Sequence, residues 1–571
     1  MRKYRLKINR ATLIGIIGLL LLAAVIVKGP GYVRNTFFDQ FTERNNEPVL
    51  ALFKHGDSTA TRLTGMPHYT LYWKSTAIKF KNSGELLRLL KKSDVLLSIE
   101  TWPQAYAGPW YTDALTAILK GSFNRQLDEL AGLIKQSSHS IYVRFDPDME
   151  VPVYQFPWQY QSAPQYIRAF NYMAAKLKQA APAAKIIWGP SGFPGDSEFW
   201  PGNKYVDLIS VTLGSQSEQT SSAYPYQPQL PGMLFSKLHR LRFMDKPVLV
   251  LGGQASAASP LQPDWLKQQV RQERRYDTTV YSPANFITTD PDKPVRQKLK
   301  VGVFDPNRRL INNPNVSIEH IFTDMGEIER GELKLRFDSI LARHHDVVLT
   351  VEPWKDTIKR PDPNVLQSTL DGRFDPAIQK LYQLISNCGQ TVYLRFAHEM
   401  EIPIKRYAWQ SKDPATYIRA FRYFMQADKI HAKNIKRVWG PAGDRGSADW
   451  WPGSDVVDYI SIAIYGLPDK NITDPNKQEL FSTIFQRKYY RMRFLNRPLF
   501  ITEFGVKGPE DYQHKWLADA ANTLRHNKHV FGICYFNLYD NPKTWGHIKA
   551  PDWSISPQNM QFFCNSVNAG N

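Results

Sequence analysis

Cysteine is scarce in this chain of 571 residues, which holds three, at positions 388, 534 and 564. A set that small and odd builds neither a disulfide framework nor a zinc site. Cys534 and Cys564 could pair if the last strand met the last helix, and the alternative is buried thiols. A glycine-rich phosphate loop is missing after the first apolar strand, which removes the main argument for a dinucleotide-binding sheet. A basic stripe is missing too, despite a net charge of +19. Five basic residues lie in the first ten and the rest are interspersed with acids, without an RNA-binding or helix-turn-helix signature. Nucleic acid is therefore not an expected partner, whereas an acidic polymer or a negatively charged envelope fits the charge. No cofactor or metal site is indicated.

The chain opens on a positive stretch, residues 1–10, followed by an apolar run from Ala11 to Val27 that Lys28, Gly29 and Pro30 end. No small-x-small cleavage site follows, nor a cysteine placed to accept a lipid. The run reads as an uncleaved transmembrane helix over 11–28, about 25 Å long at ~1.5 Å per residue, with 1–10 cytoplasmic and the remainder outside. A cleaved signal on a secreted protein is the alternative.

The length beyond this leader suits two domains. Internal repetition marks them. Arg395-Phe396 matches Arg144-Phe145, Trp439-Gly440-Pro441 matches Trp188-Gly189-Pro190, and Trp451-Pro452-Gly453 matches Trp200-Pro201-Gly202, all at an offset of 251. The segment from Asp346 to Trp354 matches that from Asp94 to Trp102 at 252. A near-constant offset over such a distance indicates duplication of a whole domain. In each copy short apolar runs such as Val347 to Val351 and Val392 to Phe396 alternate with helical stretches, the pattern of a parallel sheet covered on both faces. The expected fold class is α/β, with two tandem (β/α)8 barrels of which the first is incomplete. Expected boundaries are a linker over 29–47, a first barrel over 48–290, a linker over 291–299 and a second barrel over 300–571. The first copy's eighth strand, around Val280 to Phe286, is weak.

Residues just past the strand ends are the candidates for chemistry, because a parallel barrel builds its site there. Glu352-Pro-Trp354, Ala397-His398-Glu399-Met400 and Thr502-Glu503-Phe504-Gly505 stand at such ends in the second copy. Cleaving a bond between sugars needs a proton donor to the leaving oxygen and a carboxylate across the anomeric carbon, and Glu399 and Glu503 can supply both. The segments Leu394 to Met400 and Pro498 to Gly505, with Val438-Trp-Gly-Pro441, Trp451-Pro-Gly453 and Val457 to Tyr465 between them, resemble glycoside hydrolase family 26 over most of residues 300 to 550. That family comprises β-mannanases and some β-1,3-1,4-glucanases and xylanases.

The resemblance implies Glu399 as acid/base, His398 beside it, Glu503 as nucleophile and Tyr465 as its hydrogen-bond donor, with retention of configuration. Arg395 either touches substrate or holds a buried ion pair, with Glu352 the expected partner. Trp354 resembles a stacking residue of the glucanase-like members, and Trp409, Trp439, Tyr535 and Trp545 are further candidates for binding sugar. After Met400 the chain reads Glu401-Ile402-Pro403-Ile404, where the family usually has Asn-Gly. The function these features imply is a retaining endo-β-glycanase acting outside the cytoplasm on a β-linked polysaccharide, β-glucan or β-mannan. The alternative is a non-catalytic glycan-binding or assembly module of an envelope polysaccharide system.

In the first copy the same offset turns His398 into Pro147, Glu399 into Asp148, Tyr465 into Gly214 and Glu503 into Gly252. With no nucleophile expected to face Asp148, that copy is predicted to be inert. Its Trp102, Trp158 and Trp188 leave glycan binding open, with a purely structural relict as the alternative.

Overall fold

The computed structural model describes residues 10, 14–19, 38–43, 47–54, 61–63, 65–75, 77, 79–80, 83–103, 114–221, 230–253, 298–355, 362–403, 406–429, 431–466, 479–542 and 549–569. The chain divides into two compact units, the first reaching residue 274 and the second running from residue 281. The expected anchor over 11–28 lies largely outside the described residues, and among those described no helix is long and apolar enough to cross a membrane.

The second unit is the expected closed parallel barrel. Its strands are β1 (Lys300–Phe304), β2 (Val316–Asp324), β3 (Asp346–Glu352), β4 (Val392–Phe396), β5 (Ile435–Trp439), β6 (Tyr459–Gly466), β7 (Leu499–Val506) and β8 (Val530–Phe536), with β8 pairing back onto β1. Continuous apolar runs form these strands because both faces are covered, the inner by the opposite strands and the outer by helices. The helix Pro414–Met425 shows the local logic. Asp413 caps it by accepting the Thr416 N–H at 3.0 Å, Pro414 sits in the first turn, and Tyr417, Phe421 and Phe424 face inward.

The barrel interior is layered. Ile318, Val348, Tyr393, Val438, Phe500 and Cys534 form a dry floor, each from a different strand. Above it lies a polar layer of His320, Thr350, Arg395, Ser461 and Thr502, all buried. All three cysteines are free thiols, so the possible Cys534–Cys564 bridge is not formed.

The first unit departs from the expected barrel. It is a ten-stranded mixed sheet whose ends do not pair with each other among the described residues. Six parallel strands at its centre, His68–Lys74, Val95–Trp102, Ile141–Phe145, Lys185–Trp188, Leu208–Leu213 and Val248–Gly252, keep the order of β2 to β7. They are flanked by antiparallel strands from residues expected as linker and domain start. Phe38–Glu43 pairs with His68–Lys74, and Val49–Phe53 pairs with Val248–Gly252. The core includes Val49, Leu96, Ile187, Leu249 and Leu251. The weak eighth strand around residues 280–286 lies outside the described residues.

Candidate active site

Of the two carboxyls singled out in the sequence, Glu399 stands three residues past the end of β4 and Glu503 lies within the upper half of β7. Past β4 the backbone turns through Ala397 and Glu399, both in the left-handed region at φ +47° and +54°. Such conformations cost on the order of 1–3 kcal/mol in a non-glycine residue and persist only where neighbours hold them. Here the Ala397 N–H donates to the Val351 carbonyl at 3.1 Å and the Glu399 N–H to the Gly440 carbonyl at 2.8 Å. Gly440 must be glycine, because a Cβ there would stand 2.5 Å from Arg395 Cδ.

Arg395 organises the second carboxyl. Its Nε donates to Thr350 Oγ1 at 2.8 Å, its Nη1 to Thr502 Oγ1 at 2.9 Å, and its Nη2 to Glu503 Oε1. The Tyr465 hydroxyl donates to Glu503 Oε2 at 3.0 Å. Both oxygens of Glu503 are thus held by donors, and the carboxylate is oriented from two sides. The expected Glu352–Arg395 pair does not form. Glu352 Oε2 instead accepts the Trp354 Nε1–H at 3.1 Å, and burial, then the Asp324 charge, push its carboxyl up to about 8.

His320, which the sequence reading missed, props this layer from β2. Its Nδ1 faces the Thr502 carbonyl at 3.1 Å and its Nε2 faces Thr350 Oγ1 at 2.8 Å. A carbonyl only accepts, so Nδ1 carries the proton, and the Thr350 hydroxyl donates to Nε2 while accepting from Arg395. Burial, reinforced by the Arg395 charge, holds this imidazole well below the ordinary histidine range and therefore neutral. The repeat could have revealed it, since His68 lies 252 residues earlier.

Glu399 lives in the opposite environment. No ion-pair partner meets it among the described residues, and burial, then the charges of Glu503 and Glu401, raise its carboxyl to about 7. It therefore keeps its proton near neutrality. His398 beside it is buried, with Nδ1 unpartnered among the described residues, and is ringed by Phe322, Tyr407 and Trp409. Burial and Arg395 hold it neutral as well. Glu401, where the sequence leaves the family's pattern, accepts the Gly443 and Asp444 N–H groups at 2.9 and 3.0 Å and the Ser447 hydroxyl at 2.9 Å. It fastens the loop after β5 and is a structural residue.

The aromatic candidates divide by burial. Trp354 and Tyr407 are half-buried at the rim, and Tyr407 lies flat on Trp409 at 4.7 Å. Trp409 itself is fully buried, with Nε1 donating to the His398 carbonyl at 2.7 Å, so it backs the wall instead of offering a free face. Trp439 is buried against Trp451 at 5.1 Å. Tyr535 is buried too, its hydroxyl donating to the Trp553 carbonyl at 2.7 Å and accepting the Val506 N–H at 3.3 Å. These two are corrected from sugar-facing to packing residues. Trp545 lies outside the described residues.

No family model matches the chain. Endoglucanase H of Acetivibrio thermocellus is 25% identical over 252 residues, 41% of this chain and 25% of that protein. The β-1,3-xylanase TXYA of Vibrio sp is 27% identical over 155 residues, 26% of this chain and 30% of that protein. The chain spans less than a third of the length of these relatives. Among solved structures, a GH26 β-mannanase from Bacteroides ovatus is 14% identical over 48% of this chain and 90% of that one, with a TM-score of 0.35. Over part of its length, then, this chain is similar to an endoglucanase and a xylanase, both of them glycoside hydrolases.

Proposed function

We propose that the second unit is a retaining endo-β-glycanase of the family 26 type, with Glu503 as nucleophile and Glu399 as acid/base. The observation that carries this reading is the contrast between two carboxyls at neighbouring sites. Glu503 is clamped by a guanidinium and a phenol, whereas Glu399 is half-buried, meets no ion-pair partner among the described residues and keeps its proton up to about pH 7. In this reading Glu503 attacks the anomeric carbon as the glycosidic C–O bond breaks, and the leaving oxygen takes the Glu399 proton. Water then gives a proton to Glu399 and displaces Glu503, with net retention. Tyr407 and Trp354 form the wall against which a sugar ring stacks.

The substrate we infer is a β-glucan, which the tryptophan after Glu352 favours and the endoglucanase relative accords with. The rival reading as a glycan-binding module rested on the departure after Met400. Glu401 weakens it, because the departure serves loop anchoring and leaves the carboxyl pair intact.

Reducing-sugar release from barley β-glucan, glucomannan, mannan and β-1,3-xylan is the direct test. Glu503→Ala is expected to lower the second unit's own turnover by about 10³-fold or more, and azide to restore part of it while yielding a glycosyl azide of inverted configuration. Activity that survives the substitution in the second unit would remove Glu503 from the mechanism. For location, we propose export with retention of the leader as an anchor, so the mature protein's intact mass should include residues 1–28.

A further inference from the structure

The first unit rebuilds the carboxylate that is missing from the repeat position of Glu503, where Gly252 stands. Arg144, buried on the strand Ile141–Phe145, has Nη1 3.1 Å from Glu47 Oε2 and Nη2 3.5 Å from Asp148 Oδ1. The Glu47 carbonyl accepts from His68 Nδ1 at 2.8 Å, and His68 Nε2 faces Ser98 Oγ at 2.7 Å. In the second unit His320 holds the Thr502 carbonyl and faces Thr350, while Arg395 holds Glu503. His68, Ser98 and Arg144 are the repeat counterparts of His320, Thr350 and Arg395. Glu47 thus meets both partners that fix the Thr502–Glu503 peptide, although it lies at the far end of the unit's sequence and next to an antiparallel strand. Its neighbour Pro48 accepts the N–H of Gly252, the counterpart of Glu503, at 2.9 Å. The carboxylate therefore sits beside the glycine that lacks one.

Part of the remaining setting is kept, although Asp148, unlike Glu399, lies against the arginine. Asp148 has φ +58° and its N–H donates to the Gly189 carbonyl at 3.0 Å, as Glu399 does to Gly440. Phe156 lies on Trp158 at 4.8 Å and 3°, as Tyr407 lies on Trp409 at 4.7 Å and 3°. Trp158 Nε1 donates to the Pro147 carbonyl at 2.7 Å, the counterpart of the Trp409–His398 bond. The Glu47 side chain is 10% exposed and that of Glu503 8%, so the relocated carboxylate is no more enclosed than the original.

We propose that the first unit holds a second glycoside-cleaving site, with Glu47 as nucleophile and Asp148 as acid/base, acting on a β-linked glycan. This rests on the chemistry proposed for the second unit. Glu47 forms a bond to the anomeric carbon, the glycosidic bond's electron pair leaves with the departing oxygen, and that oxygen takes the Asp148 proton. Water returns a proton to Asp148 and frees Glu47. Burial, followed by the Glu47 charge, raises the Asp148 carboxyl to about 8, so the proton is available. Asp148 is one methylene shorter than Glu399 and Gly214 replaces the Tyr465 donor, so this site is the slower one.

The test uses the full chain as Glu503→Gln, wild type and Glu47→Gln, with barley β-glucan for turnover and a 2-deoxy-2-fluoro-β-cellobiosyl fluoride to trap the nucleophile for peptide mass spectrometry. Glu503→Gln is expected to keep roughly 1–10% of wild-type turnover, the loss of one charged hydrogen bond in the slower site being worth about 10- to 100-fold. The adduct should fall on Glu47. Because Glu47→Gln leaves Arg144 partly uncompensated and could misfold, the adduct on the Glu503→Gln chain is the deciding result. An adduct on Glu503 alone, with no turnover in Glu503→Gln, overturns the second site and leaves the second unit's assignment standing. An adduct on Glu47 alone supports the second site and removes the Glu503 assignment. Neither adduct nor turnover in wild type overturns both.

Discussion

At the scale of single residues, the proposed function depends on which carboxyl keeps a proton. Glu399 is raised from 4.5 to about 7, so it is a competent acid below that value and loses its proton as pH climbs through it. The second unit's turnover on β-glucan should accordingly fall on the alkaline side with an apparent pKa near 7, and Glu399→Gln should abolish that limb together with about 10²–10⁴-fold of that unit's rate. An alkaline limb unchanged in the variant would mean another group supplies the proton. Tyr465→Phe removes one of two donors on Glu503 and should lower kcat by roughly 10- to 100-fold, a hydrogen bond to a charged group being worth about 1.5–3 kcal/mol. Glu399, Glu503, Tyr465 and Arg395 were legible in the sequence because strand-end motifs fix their position along the chain. Trp439 and Tyr535 were misjudged because residue type does not say which side of a strand a ring occupies. Cys534 points into the barrel floor, and alternation turns Tyr535 the other way, toward the packing behind the barrel.

At the scale of elements, the site depends on strand ends that approach closely enough for one guanidinium to span them. Gly440 and Gly189 are where that closeness is set, since a Cβ would meet Arg395 Cδ or Arg144 Nε at 2.5 Å. Gly440→Ala should displace Arg395 from Glu503, costing about 1–3 kcal/mol of stability through overpacking and well over tenfold in kcat/KM. Thermal unfolding and β-glucan kinetics measured together decide it, and an unchanged kcat/KM would show that Arg395 does not position the proposed nucleophile. The second barrel's strands were legible because continuous apolar runs need cover on both faces. The first unit's edge strands were not. Hydrophobic pattern reports burial but neither direction nor partner, so nothing around Val49 to Phe53 announces antiparallel pairing with Val248 to Gly252. Glu47 was passed over for the same reason, as a linker residue whose contact with Arg144 spans 97 positions.

For the whole molecule, the buried titratable groups of the two units pull stability in opposite directions with pH. Glu352 is raised to about 8, Glu399 to about 7, and Asp146 and Asp148 to about 8, in each case chiefly by burial. A carboxyl whose folded pKa lies above its unfolded value contributes stability in full below the unfolded value, near 4, and loses it as pH rises through the folded one. His320 and His398 are depressed, so their contribution is complete above about 6.5 and is lost as pH falls below it. The net charge of +19 grows as carboxylates protonate, and its self-repulsion steepens the acid side. Between about pH 4.5 and 6.5 the four carboxyls lose more than the two histidines regain, so the midpoint of thermal unfolding should decline from about pH 5 toward pH 8, while charge repulsion lowers it again in stronger acid. Glu352→Gln separates the terms, because the amide oxygen still accepts from Trp354 Nε1 while the charge that forms above neutrality is gone. The variant should unfold several degrees higher than wild type at pH 9, about 2–4 °C per kcal/mol for a unit of this size, and match it at pH 5. Parallel Tm curves for variant and wild type from pH 5 to 9 would mean that Glu352 stays ionised in the folded barrel, and the alkaline decline would then belong to Glu399 and the two aspartates of the first unit.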